Sequence, residues 1–94
     1  MTETQKEIAK ICEDVKELLL YKNLKYGNSA IDPIRVFSKS DNTEQLLVRI
    51  DDKLNRIKHG ENILYDDEDV IQDLIGYLVL LKISLKKASE SNGL

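Results

Sequence analysis

The sequence of 94 residues predicts an all-α protein, an antiparallel helical bundle of three main helices. Three observations favour this fold class. Apolar residues recur at the three-and-four spacing of an amphipathic helix in three separate segments. One proline and four glycines are too few for the many turns of an all-β chain. Leucine, isoleucine, valine and phenylalanine make up about a third of the chain, enough to form the core of a single small domain.

The first helix is predicted to run from about Glu3 to Asn23, after frayed residues 1–2. Its apolar positions fall on one face, and they are Ile8, Ile11, Cys12, Val15, Leu18 and Leu19. We expect this face to be buried in the bundle. Cys12 is expected to be a core residue, because it lies on the stripe and the sequence places no histidine beside it.

The second helix is predicted to begin at an N-cap, either Asp41 or Thr43, and to end at His59 and Gly60. Its apolar face comprises Leu46, Leu47, Ile50, Leu54 and Ile57. Residues 24–43 form a long loop before it, and loops of this length in compact domains are usually functional or disordered. The apolar side chains of Ile34, Val36 and Phe37 are expected to pack against the bundle.

The third helix is predicted to begin within the acidic run at residues 66–69 and to continue to about Ser89, with residues 89–94 frayed. Carboxylates at its start complement the positive end of the helix dipole. From Leu74 to Leu85 apolar side chains point in nearly every direction around the axis. Two partner helices do not cover such a helix, so we expect a second copy of the chain to complete the bundle as a homodimer.

Charge and composition restrict the partners and the location of the protein. Fourteen basic and seventeen acidic residues give a net charge of −3, which argues against nucleic acid as a partner. The longest apolar stretch is shorter than the roughly 20 residues that cross a bilayer, so no membrane partner is expected. A single cysteine and an N-terminus without the apolar core of a signal peptide favour the cytoplasm.

Acidic residues at the start of the third helix form one candidate site. Asp69 and Asp73 are one turn apart, separated by about 40° around the axis, with Glu68 beside them. Two carboxylates on one face suit Mg²⁺, which takes oxygen ligands and usually keeps several waters. An acidic first turn is also favoured by the helix dipole regardless of function, so a solvated turn is the alternative.

Basic residues on the second helix form another candidate site. Arg49, Asp52, Lys53 and Arg56 follow the spacing i, i+3, i+4 and i+7, which places three cations around one carboxylate. A phosphate-bearing ligand needs fixed cations of this kind, and Asp52 could orient them or reach a metal. The alternative is an exposed face of ion pairs, each worth only a few tenths of a kcal/mol.

The end of the first helix supplies a third group. Lys22 continues the apolar stripe one turn after Leu18, where a lysine is unexpected. The side chain could extend past the helix end into solvent. Alternatively, Lys22, Asn23 and Tyr26 close over a ligand, with Gly27 permitting a tight backbone turn.

Taken in order, these three groups resemble a known family. Residues 22–27 read KNLKYG, residues 49–56 read RIDDKLNR, and residues 68–77 read EDVIQDLIGY. They are similar to the approximate patterns K-N-x-x-Y-G, D-K-x-x-R and E-D-x-x-x-D-L-x-x-Y of the nucleotide-modification-associated domain of phages and prophages. That domain is in turn similar to the MazG-like all-α nucleoside triphosphate pyrophosphohydrolases.

The resemblance implies a Mg²⁺-dependent nucleotide-binding protein that hydrolyses a (deoxy)nucleoside triphosphate to the monophosphate and pyrophosphate. It implies that the metal ligands are Asp52, Glu68, Asp69 and Asp73. It implies that phosphate is neutralised by Lys22, Arg49, Lys53 and Arg56, with Asn23 and Tyr26 closing the site. Two other hypotheses remain open: a non-catalytic module that binds a nucleotide or another protein, and a structural helical dimer without a small ligand.

Overall fold

The computed structural model describes residues 1–32, 37, 41–60 and 69–92. The described residues form three helices: α1 at Glu3–Tyr26, α2 at Asn42–His59 and α3 at Val70–Asn92. No β-strand occurs among the residues that the structure describes. The predicted all-α fold class is therefore confirmed. None of the described helices is long and apolar enough to cross a membrane.

The start of α1 is fixed by a capping box. The Thr2 hydroxyl accepts a hydrogen bond from the Gln5 backbone N–H at 3.1 Å, and the Gln5 side chain accepts one from the Thr2 N–H at 2.9 Å. Thr2 thus differs from the fraying expected at residues 1–2, because both of these backbone donors have partners. At its other end α1 continues three residues past the predicted Asn23 and stops at Gly27.

The ends of α2 follow the prediction, whereas α3 extends further. The Asp41 side chain accepts a hydrogen bond from the Glu44 N–H at 2.8 Å, which makes Asp41 the N-cap of α2. The Gly60 N–H donates to the Arg56 carbonyl at 2.9 Å, where the helix ends. The connection between α1 and α2 therefore spans residues 27–41 rather than 24–43. Helix α3 continues to Asn92, three residues beyond the predicted end.

Helix α3 is the central element, and both other helices run antiparallel to it. Most contacts between helices join α2 to α3, and the described helices α1 and α2 do not pack directly against one another. Among the described residues, the buried apolar core consists of Val15, Leu46, Ile50 and Val70. Because α3 is the one described helix that lies against α1, this core is centred between α2 and α3.

A polar contact holds the start of α2 against the second half of α3. Ser84 is buried, and its hydroxyl accepts a hydrogen bond from the Asn42 side-chain amide at 2.9 Å. The Thr43 and Ser84 hydroxyl oxygens are also hydrogen-bonded, 2.7 Å apart. These bonds fix the register of α2 on α3, and they place Lys53 opposite Asp73.

Several apolar positions expected in the core are exposed. Of the α1 stripe only Val15 is buried, while Ile8 and Ile11 remain more than half exposed. The prediction that Cys12 is a core residue was wrong, because this cysteine is exposed. Among the described helices α1 packs only on α3, which leaves this part of its surface uncovered. On α2, Leu47 and Leu54 are likewise exposed.

The long connection also departs from expectation. Phe37 is 95% exposed, so the prediction that it packs against the bundle was wrong. No described helix face lies over its ring. The same prediction for Ile34 and Val36 concerns residues outside the described part of the chain.

Candidate functional site

A cavity of about 300 Å³ opens where the end of α1 meets the first half of α3, with α2 contributing at one side. Its polar lining comprises Lys22, Asn23, Tyr26, Asn28, Ser29, Arg49, Gln72, Asp73 and Tyr77. Leucines of α1 and α3 supply the apolar wall. We call this cavity the polar pocket. All three helices contribute to it, so it exists only in the folded chain.

The last turn of α1 and the turn that follows form one side of the polar pocket. Gly27 adopts φ +69° and ψ −158°, a backbone conformation that residues with a Cβ atom rarely adopt. The Asn23 side-chain amide donates to the Asn28 side-chain carbonyl oxygen at 2.7 Å. The Asn28 backbone carbonyl then accepts hydrogen bonds from the N–H groups of Ile31 and Asp32. Residues 28–31 are thereby folded over the helix end, as the predicted turn at Gly27 requires.

Lys22 and Tyr26 face the pocket from this helix end, on the extension of the apolar stripe. Lys22 lines the cavity and is also exposed, so its placement is compatible with both interpretations, extension into solvent and closure over a ligand. Both residues are exposed on their outer sides. The Lys25 ammonium lies 5.3 Å from the centroid of the Tyr26 ring and adds a further positive charge beside the pocket.

Asp73 of α3 lines the pocket and is held by Lys53 of α2. The Lys53 ammonium donates a hydrogen bond to Asp73 Oδ2 at 3.1 Å, and the two side chains are 11% and 26% exposed. Lys53 was expected to contact phosphate, but it does not line the pocket. It lies on the buried face of α2, one turn after Ile50, and is itself buried. Its position therefore fixes the Asp73 carboxylate instead.

Arg49 of α2 lines the pocket, and its guanidinium group lies next to the Tyr77 ring. The central guanidinium carbon lies 6.0 Å from the centroid of the Tyr77 ring, at the outer limit of a cation–π contact. Tyr77 is half-buried and follows Asp73 by one helical turn. The Tyr77 ring thus lies beside the guanidinium group and lines the pocket. The spacing of Tyr77 from Asp73, one helical turn, places both residues on one face of α3.

Three other candidates do not line the polar pocket: Asp52, Arg56 and Asp69. Asp52 is exposed on α2, and Arg56 is half-buried one turn further along. Asp69 Oδ1 accepts a hydrogen bond from the Gln72 N–H at 2.7 Å, so this carboxylate caps α3. Glu68 lies outside the described residues. Among the residues that the structure describes, no three His, Cys, Asp or Glu side chains are grouped closely enough to hold a metal ion.

The electrostatics of the pocket follow from these contacts. Lys22 and Arg49 contribute two positive charges to the lining, and Asp73 contributes one negative charge. The negative charge of Asp73 is compensated by its ion pair with Lys53, which lies outside the pocket lining. The described pocket is therefore positive overall, although the whole chain is acidic.

Residues 28–31 were missed by sequence reasoning. Gly-Asn-Ser at 27–29 indicates a turn, but the direction in which the turn folds depends on the bonds that Asn28 makes.

The chain matches no family model, and it matches no curated protein and no solved structure. The functional argument therefore depends on the geometry of the polar pocket.

Proposed function

We propose that the polar pocket binds the phosphate groups of a nucleotide. The observation that carries this proposal is that residues far apart in the sequence line the same cavity. The segments 22–27, 49–56 and 68–77 are distant in the sequence, yet each contributes to one cavity. The second segment contributes Arg49, and the other two contribute several side chains each.

The charges of the lining suit phosphate. Arginine offers a planar fork of donors and lysine a compact point charge, and both are present as Arg49 and Lys22. The Asn23 amide and the Tyr26 hydroxyl are neutral groups that can bind a sugar or a phosphate oxygen. The volume of about 300 Å³ lies at the lower end of the range of about 300–1,000 Å³ for small-molecule sites. A nucleotide would therefore extend partly beyond the cavity.

The proposal includes Mg²⁺ as an ion that binds together with the nucleotide. The described carboxylates do not form a metal site made by protein alone. Mg²⁺ in nucleotide sites usually keeps several waters and uses one or two carboxylates plus substrate phosphates. Asp73 fits that smaller requirement, because its Oδ2 is oriented by Lys53 and the carboxylate has a second oxygen. When bound, the ion would neutralise part of the phosphate charge.

The family resemblance extends the proposal to an activity. A MazG-like nucleotide-modification-associated protein of phage or prophage origin would hydrolyse (deoxy)nucleoside triphosphates to monophosphate and pyrophosphate, in the cytoplasm and as a homodimer. The pocket contains a single described carboxylate, which supports binding more directly than hydrolysis. Binding and hydrolysis are therefore tested separately.

Binding is tested by isothermal titration with each deoxynucleoside triphosphate in the presence of Mg²⁺. Lys22→Met and Arg49→Met should each weaken the affinity by about tenfold to a hundredfold, since a hydrogen bond to a charged group contributes about 1.5–3 kcal/mol. Lys58→Met is the matched control, because Lys58 is exposed on α2 away from the pocket. Absence of nucleotide binding, or equal affinity of the parent and both pocket variants, would refute the proposal.

Hydrolysis is tested by measuring pyrophosphate release from the same nucleotides. Asp73→Asn should abolish release, whereas Asp51→Asn, an exposed position on α2, should retain it. Binding without release by the parent protein would identify a non-catalytic nucleotide module. Asp69→Asn distinguishes the two roles considered for that residue, because asparagine caps a helix as well as aspartate but is a poorer ligand for Mg²⁺.

A further inference from the structure

A second cavity lies between α1 and α3, beside the polar pocket. Its volume is about 470 Å³, and we call it the apolar groove. Six apolar side chains form most of its walls: Ile11, Val15, Leu19, Ile75, Val79 and Ile83. Lys22 and Arg49 do not line it, so the proposed nucleotide function gives this cavity no role.

The dimensions of the apolar groove suit a small molecule with a linear apolar chain. Small-molecule sites are concave, measure about 300–1,000 Å³, and are lined mainly by apolar side chains with a few polar groups. The groove follows α1 from Ile11 to Asn23, a length of about 18 Å at about 1.5 Å per residue. Its volume divided by this length gives a mean cross-section of about 26 Å². An α-helix, about 10–12 Å across with its side chains, is too wide to enter such a groove.

The charges that line the apolar groove are positive. Lys16 of α1 and Lys87 of α3 line it, and no described aspartate or glutamate does. Lys16 Nζ lies 3.0 Å from Glu13 Oε1, so part of its charge is already compensated. Lys87 makes no ion pair among the described residues. The lining therefore offers an uncompensated positive charge at Lys87, although the whole chain carries a net charge of −3.

Lys87 lies at the end of the apolar groove that is remote from the polar pocket. Leu19 lines both cavities and packs over Gly76, since a Cβ atom added to this glycine would lie 3.1 Å from the Leu19 side chain. Lys87 follows Gly76 by eleven residues, about 16 Å along α3. A ligand that lies along the groove with an anionic group at Lys87 therefore has its apolar end near Leu19.

We propose that the apolar groove binds a free medium-chain fatty acid, with its carboxylate at Lys87 and its hydrocarbon chain between α1 and α3. The walls supply an apolar surface along the whole chain, and Lys87 supplies the one cation that a single carboxylate needs. The proposal depends neither on the nucleotide nor on the oligomeric state. Leu78 and Leu85 of α3 are exposed outside the groove, so another chain can cover them while the groove stays open.

Isothermal titration with decanoate and dodecanoate, each below its critical micelle concentration, tests the ligand class. Each CH₂ group that enters the groove should tighten binding about fourfold, so dodecanoate should bind about fifteenfold more tightly than decanoate. Dodecyltrimethylammonium has the same chain with a positive head group and should bind at least about tenfold more weakly than dodecanoate. Absence of dodecanoate binding, or equal affinities for the two dodecyl compounds, would overturn the proposal.

Charge reversal at Lys87 tests the position of the carboxylate. Lys87→Glu should weaken dodecanoate binding about tenfold, because it replaces an attraction by a repulsion. Lys86→Glu is the matched control, since it changes the net charge equally at a residue that does not line the groove, and it should change the affinity less than about twofold. Equal losses in the two variants would overturn the proposal. Weaker binding by Lys22→Met with no loss in Lys87→Glu would place the carboxylate in the polar pocket and overturn it equally.

A polar substitution in the wall tests the position of the hydrocarbon chain. Val79 lines the groove and is 39% exposed, whereas its neighbour Leu78 is 44% exposed and does not line it. Val79→Gln should weaken dodecanoate binding severalfold, and Leu78→Gln should leave it unchanged. Circular dichroism confirms that each variant keeps its helices. Equal affinities of the two variants would mean that the chain binds elsewhere.

Cys12 reports on occupancy of the groove without any substitution. It is the single cysteine, it is exposed, and it lines the groove. Alkylation by N-ethylmaleimide should slow severalfold with saturating dodecanoate, because the hydrocarbon chain covers the thiol. An unchanged rate would contradict the proposed site. Without ligand the rate should not depend on protein concentration, and a rate that falls as this concentration rises would show that a second copy covers the groove instead.

Discussion

Replacing Lys53 by methionine removes the ammonium group that holds Asp73 at the polar pocket, while the new side chain keeps a stem of similar length. In the native chain Nζ lies 3.1 Å from Asp73 Oδ2, and the two side chains are 11% and 26% exposed. This pair is neither fully buried nor fully solvated. Its contribution to stability should therefore lie between the values typical of the two extremes.

Breaking a buried ion pair by removing one partner costs about 3–5 kcal/mol, whereas an exposed pair contributes about 0–1 kcal/mol. Asp73 retains contact with water, so we expect a coupling energy of about 1–2 kcal/mol between Lys53 and Asp73. A domain of this length has a free energy of unfolding of about 5–14 kcal/mol. The variants should therefore remain folded but melt at a lower temperature, by about 4–8 °C per kcal/mol.

The measurement is a double-mutant cycle by urea unfolding with Lys53→Met, Asp73→Asn and the combination. The cycle is needed because Lys53 makes a further interaction, whose loss would inflate the effect of the single change. A coupling energy below about 0.5 kcal/mol would refute the reasoning, since the pair would then behave as a surface contact. Lys53→Met should also weaken nucleotide binding, although Lys53 does not line the pocket.

Three further predictions follow from local packing. Leu46→Ala should lower the free energy of unfolding by about 2–5 kcal/mol, because Leu46 is 1% exposed. Leu47 is 37% exposed, so Leu47→Ala should lower it clearly less in the same urea titration. Equal losses would mean that Leu46 is not the core residue of this pair. Gly27→Ala should lower the free energy of unfolding by about 1–3 kcal/mol, because a residue with a Cβ atom is strained at φ +69°. It should also weaken nucleotide binding measured by calorimetry. An unchanged affinity would mean that this turn does not shape the binding site. Gly76→Ala should raise the melting temperature slightly, because alanine is favoured over glycine in a helix by about 1 kcal/mol. The added Cβ atom would lie 3.1 Å from a Leu19 methyl group, and Leu19 lines the polar pocket, which leaves space for it to shift. A large decrease in the melting temperature would mean that Leu19 cannot shift.

The sequence alone determined the fold class and most helix ends. Three apolar periodicities, few glycines and a single proline indicated helices, because amphipathic spacing is a local property of the chain. The cap at Asp41 and the stop at Gly60 were predicted for the same reason, since capping depends on residues within one turn. Of the residues predicted as site candidates, Lys22, Asn23, Tyr26, Arg49 and Asp73 line the polar pocket, whereas Asp52, Lys53, Arg56 and Asp69 do not.

The tertiary structure decided which helical faces are covered and which charges meet. Cys12 lies on an apolar stripe that the sequence predicts to be buried, but it is exposed because α1 has one neighbour instead of two among the described helices. Lys53 was grouped with exposed cations by its spacing, yet packing turned it towards Asp73 and away from the pocket. Periodicity reports the faces of a helix but not what lies opposite each face, because that depends on contacts between residues far apart in the chain.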